Sequence, residues 1–288
     1  MPREKIVVIA KTYPEVSSKH GPLVCVAGVN EYGEWRRLYP IPYKIWVDKE
    51  YEDIRFKKWD IIEVEVKKAS HDPRKESRKV VDWRKIKIID HIKRWDYRLH
   101  IISRLLDPDI ESVVNSDRSL GVVKPRRIVD FYAKPRKRLR DKAEKIVLNK
   151  MDEADSIITL LEYVEMKDKY LLPDIKEKDI KVEKTPWIGY RFYCSNPLCR
   201  GHEMMVIDWE AQELFRKYRQ VDGPVKKKLY DDMITKRDLY FVIGNTWRYY
   251  KSFMIISLFY PPKGTKPIKP LVSFFKEKPS TRTLIEYT

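Results

Sequence analysis

The sequence predicts a mainly β protein with α+β character: a small antiparallel, OB-like barrel at the N-terminus, followed by a C-terminal α+β domain. Three observations carry this. Short β-rich runs bounded by turn residues recur through the first hundred residues. Within them, Ile62, Val64 and Val66 alternate with Glu63, Glu65 and Lys67, the pattern of a half-buried strand. The second half mixes strand runs with helical spacing and ends in a long apolar hairpin.

Taken in order, Ile6–Ala10 and Leu23–Val29 read as strands separated by a loop with Pro14, Gly21 and Pro22. Asn30-Glu31-Tyr32-Gly33 is a hairpin turn into a strand whose alternation puts Trp35, Arg37 and Tyr39 on one face. After Pro40-Ile41-Pro42 come the strand from Trp59 to Lys68, a polar loop over 70–77, and a strand around Ile86–Ile89. Four or five such strands in about 90 residues suit an OB-like barrel over residues 1–95. Tyr97, Ile101, Ile102 and Leu105 have helical spacing and open a helical, basic connector, 96–150. The α+β domain is placed at 151–262, with strands at 187–194 and 204–207 and helices at 210–219 and 225–234. Its core hairpin pairs 238–243 with 253–260, and a Pro/Lys-rich tail fills 263–288.

The 288 residues are 43% hydrophobic, enough for real cores, and carry 60 Lys+Arg against 43 Asp+Glu, a net charge of +17. That excess favours a polyanionic partner, nucleic acid before a membrane surface. No run of about 18 apolar residues exists, and Ile6–Ala10 is too short for the core of a secretion signal. Three cysteines, an odd number, suit a reducing compartment, so a cytoplasmic location is expected. Only two glutamines and five asparagines amid many Lys and Glu suggest a thermophilic source. There is no phosphate-cradling glycine loop.

The charge is uneven. Residues 122–145 hold ten basic side chains, among them Lys124, Arg126, Arg127, Arg136, Lys137, Arg138 and Arg140, against three acidic ones. Basic residues also interleave with aromatics around Trp35, Arg37 and Tyr39, in Trp83-Arg84-Lys85, in 93–98, and in the loop with Trp247, Arg248 and Tyr249. Cations neutralise phosphates and exposed aromatic faces stack on unpaired bases, so the combination fits a single-strand binder. A single tryptophan of this kind is equally explained as a core residue flanked by solvated charges.

Cys194, Cys199 and His202, spaced Cys-x4-Cys-x2-His, offer three ligands on one turn, and zinc is the metal such a set suits. A fourth ligand from Cys25, His20, His71 or Asp208 requires the fold to bring it close; without a metal the turn is two cysteines and a surface histidine. Asp208 and Glu210, with His202, form a candidate metal-dependent nuclease site. Against this, Asp208 stands where a strand gives way to a helix and suits an N-cap, while Glu210 suits the first turn. Glu65-Val66-Lys67 with Asp60, and Glu165-Met166-Lys167 with Asp155, are nuclease-like triplets that a Lys/Glu-rich chain also produces by chance.

Leu23–Val29 followed by Trp35-Arg36-Arg37-Leu38-Tyr39-Pro40 resembles the opening of OB-type domains in uncharacterised prokaryotic proteins described as dual-OB. Cys194, Cys199-Arg-Gly-His202, Asp208-Trp209-Glu210, Gly244-Asn245 and Phe259-Tyr260-Pro261-Pro262 resemble marks of a family of hypothetical proteins, and the resemblance spans about 30–260. It implies a barrel and nucleic-acid contact and transfers no catalytic residue. The expected function is therefore nucleic-acid binding. The alternatives are a metal-dependent nuclease and a basic scaffold for an acidic protein partner.

Overall fold

The computed structural model describes residues 2–17, 21–70, 72–134, 185–218, 221–246 and 251–268. Alternating apolar residues in the N-terminal strands β1 (Arg3–Lys11), β3 (Gly21–Asn30), β4 (Trp35–Pro42), β5 (Asp60–Lys68) and β6 (Ser77–Val80) close a barrel in the order β1-β3-β4-β6-β5-β1. All of its pairings are antiparallel except β4 with β6. Ile6, Val8, Val24, Val26, Leu38, Ile62, Val64 and Val66 fill it. Two further strands flank it, β2 (Glu15–Ser17) on β3 and β7 (Lys87–His91) on β5.

The turn Asn30–Gly33 forms as its residues dictate. Asn30 Oδ1 accepts from the Tyr32 and Glu34 amides at 3.1 and 2.9 Å, and Gly33 adopts φ +79°. Helix α1 (Lys44–Val47) and a 3-10 turn, Lys49–Ile54, link β4 to β5. β6 was not among the expected strands, and only its first residue falls in the expected loop: its sequence, Ser-Arg-Lys-Val, has one apolar residue, and pairing from both neighbours holds it in the sheet.

Helix α2 (Trp95–Leu105) leads directly into a second seven-stranded sheet. Its order is β10-β11-β12-β14-β13-β9-β8, from β8 (Leu106–Asp107), β9 (Leu120–Val123), β10 (Arg127–Lys134), β11 (Trp187–Tyr193), β12 (His202–Val206), β13 (Tyr240–Asn245) and β14 (Phe253–Phe259). Residues 106–134, expected in a connector, are therefore part of the second sheet, and the change of unit falls just after α2. Helices α3 (Ile110–Asn115), α4 (Trp209–Tyr218) and α5 (Asp232–Lys236) belong to this unit; π-helical turns at 221–225 and 227–231 stand where one helix over 225–234 was expected.

Strand alternation gives the second sheet two buried faces. Phe241, Ile243, Phe253 and Ile255 pack with Val113, Ala211, Leu229 and Met233 from the helices. On the other side Val122, Tyr240, Val242, Ile256 and Phe259 pack with Val7, Ile9, Val29, Trp35 and Ile102 of the barrel and α2. Each such side chain contributes on the order of 1.5–3 kcal/mol when fully buried, so barrel and sheet share one apolar seam. The seam is stitched at one end, where Tyr13 N–H donates to the Ile207 carbonyl at 2.8 Å and Thr12 bridges to Asp208.

Candidate functional site at the barrel–sheet junction

Lys57-Lys58-Trp59-Asp60 enters β5 through a tight turn: the Asp60 carboxylate accepts from the Lys57 amide at 2.7 Å, and Trp59 takes φ +73°. A bulky residue in that region is strained by on the order of 1–3 kcal/mol, and such strain persists where the surroundings over-determine it. The turn drives Lys58 into the second unit. Its ammonium donates to Asp208 Oδ2 at 2.7 Å and to Ser257 Oγ at 3.3 Å, and pairs with Glu210 Oε2 at 2.8 Å. A bulge in β14, where Val242 faces Ser257 and Ile243 faces Ile255, presents Ser257 to the lysine.

Asp208 performs the expected capping role and a second one. Its Oδ1 accepts from the Ala211 amide at 3.0 Å, capping α4, while Oδ2 accepts from Lys58 and from the Leu258 amide at 3.1 Å. The Lys58 and Asp208 side chains are 4% and 1% exposed. Desolvation lowers the lysine, but the facing carboxylates overcome it and hold its pKa above the ordinary lysine value. Beside the pair, Lys11 Nζ sits 4.0 Å from the Trp209 ring centroid and 4.7 Å from that of Trp46. Burial brings Lys11 down to about 8.

Next to Lys58 opens a cleft of about 270 Å³ lined by Lys57, Trp59, His91, Trp95, Arg98, Glu210 and Tyr260 among others. His91 Nδ1–H donates to Asp60 at 2.6 Å, and Arg98 donates to His91 Nε2 at 3.2 Å and to the Ile92 carbonyl at 2.7 Å; these partners assign the tautomer. The Arg98 guanidinium lies 5.0 Å from the Trp95 ring and 5.3 Å from that of Trp59.

Trp35, Arg37 and Tyr39 are 7%, 4% and 8% exposed, which corrects the expectation that they stack on bases. The second sheet covers the outer face of β4: Trp35 joins the shared seam, and Arg37 donates to the Ser119 carbonyl and hydroxyl at 3.0 and 3.1 Å. Burial lowers Arg37 to about 10. Lys124, Arg126 and Arg127 are exposed. Lys124 pairs with Asp238 at 3.1 Å and lies over Tyr240, whose ring is 5.6 Å from Phe259 at the cleft wall. Arg136, Lys137, Arg138, Arg140, Trp247, Arg248 and Tyr249 lie outside the described residues, as does the Glu165 triplet.

Cys194, Cys199 and His202 do converge, their ligand atoms all within 4.8 Å of one another, so the cluster can bind a metal. Asn196 folds the turn by accepting from the Leu198 amide at 2.9 Å, Gly201 has φ +99°, and Cys199 Sγ is 3.2 Å from His202 Nε2. Burial raises the Cys194 thiol and lowers His202. Asp208 and Cys25 do not complete the set. Asp208 is committed to Lys58, and Cys25 packs inside the first unit with Leu23 and Tyr39; His20 and His71 lie outside the described residues. His202 and Asp208 stand at and beyond opposite ends of β12, about 20 Å apart at roughly 3.3 Å per residue. The nuclease triad of His202, Asp208 and Glu210 is therefore not assembled, and Asp60 is committed to His91 at the far end of β5 from Glu65 and Lys67.

Trp95 and Arg98 lay in a basic-aromatic run visible in the sequence. Lys58 and His91 gave no such signal, because their partners are remote along the chain, and Asp60 was read only as the acid upstream of Glu65 and Lys67. Among the described residues no helix is long and apolar enough to cross a membrane.

No curated protein matches the chain. Residues 2–104 match the family described as Domain of unknown function (DUF8758). The match to Domain of unknown function (DUF8757) covers residues 109–279, more than half of the chain, and its start just beyond α2 agrees with the change of unit. The chain belongs to the DUF8757 family, with a DUF8758 unit preceding it.

Proposed function

We propose that the protein binds single-stranded nucleic acid through the second unit and the junction. The observation that carries this reading is the exposed series Lys124, Arg126 and Arg127 at the entry to β10, with Lys124 lying over Tyr240. In sequence it continues directly to Arg136, Lys137, Arg138 and Arg140. OB barrels commonly use the face of their second and third strands for oligonucleotides. Here those strands are β3 and β4, and the seam covers them, which moves the contact surface elsewhere. Fluorescence anisotropy with a labelled single strand and its duplex tests the reading. Tighter binding of the single strand, weakened by charge reversal at Lys124, Arg126 and Arg127, supports it; equal or absent binding of both overturns it.

For the Cys/His turn we infer zinc, because two thiols and an imidazole match its preferred donors. Asp109, which accepts from Asn196 in that turn at 3.2 Å, brings a carboxylate alongside. The bound ion would brace the start of β12 against α3. Metal analysis of the purified chain is expected to give about one zinc per chain, lost in Cys199→Ser; no zinc in a chain purified without chelator contradicts the assignment.

A further inference from the structure

We propose that the junction cleft receives one nucleobase of the bound strand, stacked against Trp95 and Tyr260 and read by the Glu210 carboxylate. This rests on the single-strand reading above and adds to it a site and a base preference.

Size sets the first limit. About 270 Å³ falls just under the roughly 300–1,000 Å³ that holds drug-sized ligands, which suits one base and excludes a stacked pair. The walls set the chemistry. Trp95 and Tyr260 are half-buried, with ring centroids 5.9 Å apart at 49°, so each keeps surface in the cleft for a flat ring to cover. The strained Trp59 closes one side.

The floor sets the preference. All three ammonium protons of Lys58 have acceptors in Asp208, Ser257 and Glu210, so the lysine has no donor left for a ligand. Glu210 lines the cleft, is half exposed and engages Lys58 through Oε2, so Oε1 is the acceptor that this assignment uses. An acceptor there favours bases that carry an exocyclic amino group, cytosine, adenine or guanine, over thymine and uracil, whose one N3–H donor is flanked by two carbonyl oxygens that repel a carboxylate. The backbone on either side of the base meets the exposed Lys57 and the remaining N–H groups of Arg98.

The test uses the full chain and labelled oligodeoxycytidylate and oligothymidylate of about twelve nucleotides, within the span of one such module. An oligoribocytidylate arm separates RNA from DNA. The wild type is expected to prefer the cytidylate. Trp95→Ala should weaken that binding by about 5- to 150-fold, the range of one lost base stack. Glu210→Gln, at an exposed position that leaves folding intact, should narrow or reverse the preference. If both variants bind cytidylate as the wild type does, or the wild type shows no preference, the cleft assignment is overturned while single-strand binding stands. If the wild type binds no oligonucleotide at low salt, the underlying reading falls with it. Should Trp95→Ala fail to fold by circular dichroism, Glu210→Gln decides alone.

Discussion

Replacing Lys58 with alanine is expected to destabilise the chain by about 3–5 kcal/mol, because it strips a buried carboxylate of its cation. Asp208 is 1% exposed and keeps only the amides of Ala211 and Leu258 as donors once the ammonium is gone. Neither amide carries a charge, and the carboxylate cannot rotate toward water without giving up the cap of α4. The pair also joins the two units through residues 150 positions apart in sequence. Urea denaturation followed by tryptophan fluorescence should therefore show an earlier midpoint and the single transition splitting in two. The double variant Lys58→Met with Asp208→Leu should lose less than the sum of the single losses, since the stranded charge leaves with its partner. A loss below about 1 kcal/mol for Lys58→Ala would show that water reaches Asp208.

Lys11 should make stability depend on pH in the opposite sense from an ordinary salt-bridged lysine. Burial brings it down to about 8 from its usual 10.5, against the raising effect of Glu210. Between those values the unfolded chain still binds a proton that the folded chain has shed, so stability rises with pH across that window. Below about pH 8 both states are charged and the whole desolvation cost is present. The shift corresponds to about 3 kcal/mol. Burial moves Cys25 the other way, to about 11, and so offsets part of the gain above pH 9, but Lys11→Met keeps Cys25 and the offset cancels in a difference. The comparison that isolates Lys11 is wild type minus Lys11→Met. That difference should grow by about 3 kcal/mol from pH 8 to 10.5, read from denaturation midpoints. A flat difference would mean that contact with the Trp46 and Trp209 rings keeps the ammonium charged throughout.

Local patterns in the sequence were reliable where local forces decide. The alternation of Ile62, Val64 and Val66 is the inside of β5, the Asn30–Gly33 turn forms through its own side chain, and the α4 cap at Asp208 follows from a strand meeting a helix. The Cys/His turn was equally legible, since its ligands lie within nine residues and the chain only has to reverse. What the pattern could not show is which exposed-looking faces another unit covers. Trp35, Arg37 and Tyr39 alternate as on a half-solvated strand, yet every residue of β4 is buried: the second unit covers Trp35 and Arg37, and Tyr39 packs with Leu23 and Cys25. Lys58 reads as one lysine among many until the turn at Trp59 aims it across the seam. The junction depends on long-range pairings, from Thr12 with Asp208 to Lys58 with Ser257, that leave no trace in any window of sequence.

The salt dependence of single-strand binding tests the central claim most directly. With Lys124, Arg126 and Arg127 among the phosphate contacts, the logarithm of the affinity should fall linearly with the logarithm of salt concentration, with a slope of about −0.7 per contact on a single strand. Charge removal at each of those positions should make the slope shallower by about one contact. Affinity that does not change between low and high salt, or no measurable binding at low salt, would contradict the account.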